Sequence, residues 1–597
     1  MHGGCGHRAL KSSSRQPKLK SMTAGAPAGT GAAGGVRLPA DGGRHDTEDA
    51  DMAIETPFSK LLTLVVDDAP AQLSTLRSQL QMLGIKRVDG AANPHDALRQ
   101  LKANRYGLVL CDYSLGHKTD GQQLFEYLRE QSILAPGCLF FMVTAENSYA
   151  SVAAASEHKP DAYLLKPITA SDVEARLRAA MERQKAFEAV NAALTAQDLP
   201  RALAETETLL ARKDRWFMQA LQHKGQILLQ LGRHADARAV YQQALAVRPQ
   251  LLWAQIGLAR GYKAGDQFEE AKQLAREIID SPDGQRNLAA YDVLADALEA
   301  QGDIDGAQWA LRDAAHAVPS AARHRKLADC AYRNGDLDGA LESLGKVVKA
   351  TQGAITAQPQ DALALAQALA DAARPAEALA ALDAARPLFA NAPQLESVQH
   401  AVRAQALARS GDAAGAAQAV ARARETQRGA KADFATVALG KAELLTGHEE
   451  TGLALLGSAV SADHESPRIR QLVRNALNST GHAAAVEQVV DAAANALKAR
   501  VSSARKLLRD ERIDDALAAI DAALRDFPDN TGVLLQAAQI SCMALRLRKE
   551  PNPPQVERIR LHLTRLERLL PNNDRVTAMQ RYFRETLAAL ETAEATA

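Results

Sequence analysis

The chain has 597 residues, which corresponds to about four domain-sized units. Its 71 Lys and Arg residues balance 71 Asp and Glu residues, so net charge gives no reason to expect a nucleic-acid or membrane-surface partner. Five scattered cysteines without a CxxC pair argue against a disulfide framework and favour idle thiols in a reducing compartment. No apolar run reaches the roughly 18 residues of a membrane span, so we expect a cytoplasmic protein.

The first segment, residues 1–57, is rich in Gly, Ala, Ser and basic residues and shows no hydrophobic periodicity. Such a segment cannot bury enough apolar surface to offset the entropy of ordering, so we predict a disordered tail. Met22 and Met52 are alternative first residues to Met1.

Residues 60–183 alternate short apolar runs with amphipathic segments, which predicts five β/α units. The predicted strands are Leu61–Val66, Ile85–Gly90, Leu108–Asp112, Leu139–Val143 and Tyr163–Leu165. The predicted helices begin after Asp68, after Asn93, near Gln122, near Ser148 and at a capping box of Ser171 and Glu174. This alternation requires a parallel sheet covered by helices on both faces, the doubly wound α/β class.

Polar residues stand where four of the five predicted strands end. They are Asp67 and Asp68, Asp112, Thr144 and Lys166. In parallel sheets a ligand binds beyond the carboxyl ends of the strands, so these side chains are candidates for one site. Three neighbouring carboxylates repel one another, and Mg²⁺, which prefers oxygen ligands, would relieve that repulsion. Each residue alone also fits a structural reading, such as a helix cap or a solvated lysine.

From about residue 184 the strand signal ends, and helical segments repeat with a small residue every 33 to 38 positions. These marker residues are Ala202, Ala237, Ala271, Ala307, Ala340, Ala378 and Ala416. One copy places Gly302 at the turn between two helices, Ala307 where the helices approach closely, and Pro319 at the end. Such units stack into a solenoid, since one unit cannot cover its own apolar face.

We predict regular repeats over residues 184–350 and degenerate helical repeats with a C-terminal cap over 351–597, about nine or ten units in all. A helix at about residues 575–592 is the candidate cap. The three tryptophans are expected to pack between repeats rather than form ligand platforms. They are Trp216, Trp253 and Trp309.

The motifs at the strand ends resemble those of the response-regulator receiver family. The acidic pair lies 45 residues before Asp112, counted from Asp67, and Thr144 lies 22 residues before Lys166. The resemblance implies a flavodoxin-like sheet and phosphorylation of Asp112. It further implies Mg²⁺ held directly by Asp68 and Asp112, through water by Asp67, and by the backbone carbonyl of Ser114.

The same resemblance gives roles to the remaining site residues. Lys166 would balance the phosphoryl oxygens, and the hydroxyl of Thr144 would turn toward one of them. Tyr163 would change its rotamer with Thr144, although a half-buried structural tyrosine is the alternative. The Lys166–Pro167 peptide bond is a candidate cis bond. The loop after Asp112 lacks the proline that is common in the family, which leaves its local turn open.

The helical part resembles tetratricopeptide repeats, and the combination is similar to bacterial response regulators with a repeat array as output arm. The implied partners are a histidine kinase or phosphotransfer protein and an unknown protein in the repeat groove. No enzymatic activity is expected beyond receiver phosphorylation and dephosphorylation. The alternative is a constitutive scaffold with the receiver as a fixed interaction module. No helix breaker separates the last receiver helix from residues 185–190, so we expect a stiff junction.

Overall fold

The structure is a computed structural model that describes residues 58–596 apart from 117, 146–158, 283, 391, 428–432, 464–465, 551 and 571–573. The predicted tail over residues 1–57 and the predicted helix near 148–157 therefore lie outside the described residues.

The amino-terminal part is a parallel five-stranded sheet in the order β2-β1-β3-β4-β5. The strands are β1 Leu62–Val66, β2 Arg87–Ala91, β3 Leu108–Asp112, β4 Leu139–Thr144 and β5 Ala162–Leu165. Strands β3 and β4 are buried along their whole length, as their continuous apolar sequences predict. This is the flavodoxin-like order, with the change of winding direction between β1 and β3.

Helices cover both faces of this sheet. They are α1 Pro70–Met82, α2 Pro94–Ala103, α3 Gly121–Glu130 and α4 Ala170–Ala186. The Asn93 side chain accepts a hydrogen bond from the Asp96 amide, so the predicted cap of α2 is confirmed. The prediction of a Ser171–Glu174 capping box is wrong, because Thr169 and Asp172 form the box of α4.

Helices form the remainder of the described chain, with short 3-10 turns at Pro393–Leu395 and Ala483–Ala485 and a π-helical segment at Glu487–Ala492. The helices up to residue 351 are α5 Glu188–Thr195, α6 Leu199–Ala211, α7 Phe217–Gln230, α8 His234–Val247, α9 Leu252–Ala264, α10 Phe268–Asp280, α11 Leu288–Ala300, α12 Ile304–Ala317, α13 Ala321–Asn334 and α14 Leu337–Thr351. The next are α15 Pro359–Asp371, α16 Pro375–Ala384, α17 Arg386–Phe389, α18 Glu396–Ser410, α19 Ala413–Thr426, α20 Phe434–Leu445, α21 Glu449–Ala462 and α22 Pro467–Ser479. The last are α23 Ala493–Arg509, α24 Ile513–Asp526, α25 Thr531–Arg548, α26 Pro553–Leu569 and α27 Asp574–Thr596.

Neighbouring helices pair through the marker residues predicted from the sequence. All seven marker alanines are 0 % exposed, so the helices leave no room for a larger side chain there. Gly302 and Gly335 turn the chain between paired helices with φ of +86° and +82°, the left-handed region that favours glycine. The helix-turn-helix units and their stacking are therefore as predicted.

The array also makes contacts between helices far apart in sequence. The Asn475 side chain on α22 donates hydrogen bonds to the Tyr332 and Arg333 carbonyls on α13, at 3.1 and 2.9 Å. At the far end, α27 packs against α25 and also against α7. The array therefore curves back on itself, which the repeat spacing did not predict.

Two predictions about this part need correction. The junction is not one continuous helix, because Phe187, with φ −101° and ψ 12°, separates α4 from α5. The buried Phe187 ring instead packs edge-on against Trp216, with centroids 6.2 Å apart. Packing was also the wrong prediction for Trp309, which is 61 % exposed with the Arg312 guanidinium 4.8 Å from its ring.

Candidate functional site: a carboxylate cluster at the carboxyl edge of the sheet

The change of winding direction between β1 and β3 leaves a crevice at the carboxyl edge of the sheet. Asp67 and Asp68 follow β1, and Asp112 is the last residue of β3. Each of the three offers a carboxylate oxygen, and these oxygens lie within 4.8 Å of one another. Asp67 and Asp112 are buried, whereas Asp68 is exposed to solvent.

Lys166, directly after β5, reaches into this cluster. Its Nζ lies 3.0 Å from Asp112 Oδ1 and 3.3 Å from Asp67 Oδ2. The other Asp67 oxygen accepts a hydrogen bond from the Ala69 amide at 2.9 Å, at the start of α1. Three carboxylates therefore face one ammonium group in the described part of the site.

Burial raises the pKa of Asp112 above its ordinary value. The hydrogen bond and charge of Lys166 oppose that rise, and the charge of Asp67 adds to it. Burial acts to lower the pKa of Lys166, but Asp112 and Asp67 outweigh burial and raise it. Lys166 therefore stays an ammonium group at neutral pH, while the ionised form of Asp112 is disfavoured until a further cation arrives.

The oxygen set suits a hard divalent cation. Two buried carboxylates and one solvent-facing carboxylate leave room for water ligands, which Mg²⁺ retains. Asp67, Asp68 and Asp112 would hold such an ion, and the ion would neutralise the repulsion that raises the Asp112 pKa.

The other predicted site residues lie around this cluster. Thr144 ends β4, is 1 % exposed, and its carbonyl accepts a hydrogen bond from the Lys166 amide at 2.8 Å. Ser114 lies exposed on the loop after β3. Tyr163 is half-buried on β5, and its hydroxyl has no hydrogen-bond partner among the described residues. The predicted cis bond between Lys166 and Pro167 is confirmed.

Two glycines that the sequence analysis did not single out shape the site. A Cβ on Gly116 would lie 2.3 Å from Asp68 Oδ2, and the φ of Gly116 is +62°. A Cβ on Gly121, the first residue of α3, would lie 2.1 Å from the Asp112 carbonyl oxygen. Their position near Asp112 was the available signal, but the close approaches depend on how the loop folds back over the sheet edge.

The chain matches two kinds of protein family. Residues 63–178 match the family described as response regulator receiver domain. Residues 187–251, 228–290 and 293–355 match families described as tetratricopeptide repeat. Among the described residues, no helix is both long and apolar enough to cross a bilayer.

Curated relatives match in the receiver region. The transcriptional regulatory protein YvrH of Bacillus subtilis is 30 % identical over 120 residues, which are 20 % of this chain and 48 % of the relative. The alkaline phosphatase synthesis transcriptional regulatory protein PhoP of the same species is 28 % identical over 122 residues, 20 % of this chain and 49 % of the relative. The chain thus spans about half the length of these relatives.

Solved structures of repeat proteins resemble the helical part. A tetratricopeptide repeat protein from Parabacteroides merdae is 12 % identical with a TM-score of 0.29, covering 44 % of this chain and 98 % of its own. A thermophilic TPR protein of Thermus thermophilus is 23 % identical with a TM-score of 0.23, covering 31 % and 98 %. Overlaps of this size do not establish a shared overall shape, so the assignment rests on the family matches and the helix pairs. Residues 63–178 are accordingly a response-regulator receiver domain, and tetratricopeptide repeats follow over residues 187–355.

Proposed function

We propose that the protein is a two-component response regulator that accepts a phosphoryl group on Asp112. The observation that carries the proposal is the cluster of three carboxylates and one lysine at the carboxyl edge of the sheet. The relatives that match this region carry transcriptional regulatory names, but those names describe proteins that this chain overlaps over about half their length.

In the proposed reaction an Asp112 carboxylate oxygen attacks the phosphorus atom of a phosphorylated donor. A new P–O bond forms as the bond between phosphorus and the donor breaks, and the donor leaves with that electron pair. Lys166 Nζ, 3.0 Å from Asp112 Oδ1, is placed to offset charge on the transferred group. Mg²⁺, held by Asp67, Asp68 and Asp112, would supply charge neutralisation when bound.

A phosphohistidine on a separate kinase or phosphotransfer protein is the proposed donor. The output would be binding of a protein partner to the helical array, since paired helices in stacked units present an extended surface. Thr144 and Tyr163, on neighbouring strands, are the proposed residues that respond to the phosphoryl group. The catalytic chemistry we propose is limited to phosphorylation and dephosphorylation of Asp112, in a cytoplasmic protein.

Incubation with acetyl phosphate, followed by intact mass measurement, tests this function. We expect the mass of one phosphoryl group on the wild type in Mg²⁺, little in excess EDTA, and none on Asp112→Asn. The matched control is Asp172→Asn, because Asp172 caps α4 away from the site and should leave phosphorylation unchanged. An equal mass gain on Asp112→Asn would overturn the proposal and favour the scaffold alternative.

A further inference from the structure

A short loop of the repeat array lies against the receiver. Residues 352–358 connect α14 to α15, and we name this segment the docking loop. Its Ile355 is 8 % exposed and belongs to the same apolar cluster as the receiver residues Leu115 and Leu124. Among the described residues, Ile355 is the single member of that cluster from outside the receiver.

Two polar contacts flank the buried isoleucine. Lys118, on the loop between β3 and α3, donates a hydrogen bond from Nζ to the Gln352 carbonyl at 2.9 Å. His95 on α2 lies with Nε2 3.4 Å from the Gly353 carbonyl oxygen. The docking loop therefore contacts α2 and the loop after β3.

The receiver segment that holds the docking loop also touches the carboxylate cluster. Gly116 passes so close to Asp68 that a Cβ there would lie 2.3 Å from Asp68 Oδ2. Leu115, directly before it, is 1 % exposed in the cluster that contains Ile355. Lys118 follows two residues later. One stretch of four residues thus joins the candidate metal site to the docking loop.

We propose that phosphorylation of Asp112 releases the docking loop, so that this contact is a phosphorylation-controlled intramolecular lock. The proposal rests on the function proposed above. A bound cation and a phosphoryl group must displace either Asp68 or the tightly packed Gly116, because the two leave no space between them. Displacement of Gly116 moves Lys118, whose hydrogen bond holds Gln352.

Charge acts in the same direction. Lys118 bonds to a neutral carbonyl, and among the described residues it has no carboxylate partner. A phosphoryl group adds a charge of about −1.5 to −2 and strong acceptor oxygens, which attract an ammonium group more than an amide carbonyl does. Phosphorylation therefore weakens the hold on the docking loop and does not strengthen it.

The rest of the interface allows such a release. A cavity of about 300 Å³ lies beside the docking loop, between Glu126 and Tyr127 of α3 and His324 and Lys346 of the array. The receiver is held separately at its other end, where Glu182 on α4 pairs with Arg215 at 2.9 Å. The break in the helix at Phe187 provides a pivot between these two attachments.

Hydrogen exchange on the full chain, with intact mass measured on the same samples, tests the proposal. We expect amide exchange in residues 352–358 to rise at least about fivefold after acetyl phosphate and Mg²⁺, the lower end of measured allosteric coupling. The control segment is the loop between α8 and α9, residues 248–251, which should not change. Phosphorylated protein with unchanged exchange in 352–358 would overturn the lock while leaving the proposed function intact.

Coupling between two sites is reciprocal, so opening the docking loop must favour phosphorylation. Ile355→Asp should therefore exchange rapidly in 352–358 without phosphate and gain the phosphoryl group at least about fivefold faster. The matched control is Val247→Asp, which places the same charge at a side chain that is 59 % exposed. Wild-type phosphorylation kinetics in a folded Ile355→Asp would contradict the lock.

A second variant covers the case in which Ile355→Asp does not fold. Lys118→Ala removes the hydrogen bond to the exposed Gln352 carbonyl without touching the apolar cluster, and should likewise speed exchange in 352–358. Unchanged exchange in Lys118→Ala would then overturn the lock. If intact mass shows no phosphoryl group on the wild type, the proposed function itself fails, and the lock fails with it.

Discussion

The receiver and the repeat array both bury charged side chains, but they balance them differently. In the array, buried Lys441 lies with Nζ 2.6 Å from Asp371 Oδ1, and the Tyr332 hydroxyl donates to Asp371 Oδ2 at 2.7 Å. In the receiver, three carboxylates cluster around the single ammonium group of Lys166.

The difference separates a structural charge from a functional one. The Lys441–Asp371 pair is complete, and its partners come from helices as distant as α13, α15 and α20, so it holds the curved array together. The carboxylate cluster has excess negative charge, which raises the pKa of Asp112 and favours a cation. Balance within the protein, rather than burial alone, distinguishes the two sites.

The largest expected effect comes from breaking the balanced pair. Lys441→Met leaves the Asp371 carboxylate buried, and removing one partner of a buried ion pair costs about 3–5 kcal/mol. Urea unfolding of the full chain, followed by helical circular dichroism, measures the loss. The control is Lys346→Met, an exposed lysine paired with Glu342, which should cost less than about 0.5 kcal/mol. Equal losses in the two variants would contradict a structural role for Lys441.

The unbalanced site should respond to a cation instead. Mg²⁺ at 100 times its dissociation constant should stabilise the receiver by about 2.7 kcal/mol. Asp68→Ala should abolish most of this gain, whereas Asp338→Ala, which removes an exposed carboxylate on α14, should keep it. Thermal unfolding across a Mg²⁺ titration measures the effect. A full Mg²⁺ response in Asp68→Ala would show that the ion acts elsewhere.

A smaller effect tests the close packing at the sheet edge. Gly121→Ala places a Cβ 2.1 Å from the Asp112 carbonyl oxygen, so the start of α3 must move at a cost of about 1–3 kcal/mol. Denaturant unfolding of the receiver measures this cost. The control is Gly345→Ala, because Gly345 is within α14 with nothing within 4 Å of its Cβ position. That variant should gain up to about 1 kcal/mol of helix propensity.

The smallest effect concerns a glycine of the array that is constrained by φ and not by space. Gly335 has φ +82° and nothing within 4 Å of a Cβ, so Gly335→Ala should cost about 1 kcal/mol through the left-handed backbone alone. The same unfolding experiment applies. A loss as large as that of Lys441→Met would mean that the turn contributes tertiary contacts that the structure does not contain.

Local patterns predicted the parts of the molecule that local physics determines. Alternating strands and helices place the last residues of parallel strands at one edge, which is how Asp67, Asp112 and Lys166 were found. The buried alanine markers, such as Ala307, follow from the close approach of paired helices. The catalytic and metal-binding roles of these residues stay predictions until phosphorylation is measured.

Features that depend on distant contacts were not predictable. The capping box was misplaced because Thr169-x-x-Asp172 and Ser171-x-x-Glu174 overlap, and either fits the capping pattern. The docking loop joins positions more than 200 residues apart, as between Lys118 and Gln352, and no repeat spacing encodes that contact. The exposure of Trp309 likewise depends on which helix faces solvent after stacking.

The most direct test of the central claim is to locate the phosphoryl group on the chain. Cleavage after Arg105 and Lys118 releases the peptide Tyr106–Lys118, in which Asp112 is the single carboxylate side chain. Borohydride reduction of protein treated with acetyl phosphate and Mg²⁺ converts an aspartyl phosphate into homoserine, which mass spectrometry of that peptide detects. We predict homoserine at position 112 in Mg²⁺ and its loss in EDTA. An unmodified Asp112 in a protein that has gained phosphoryl mass would contradict the account.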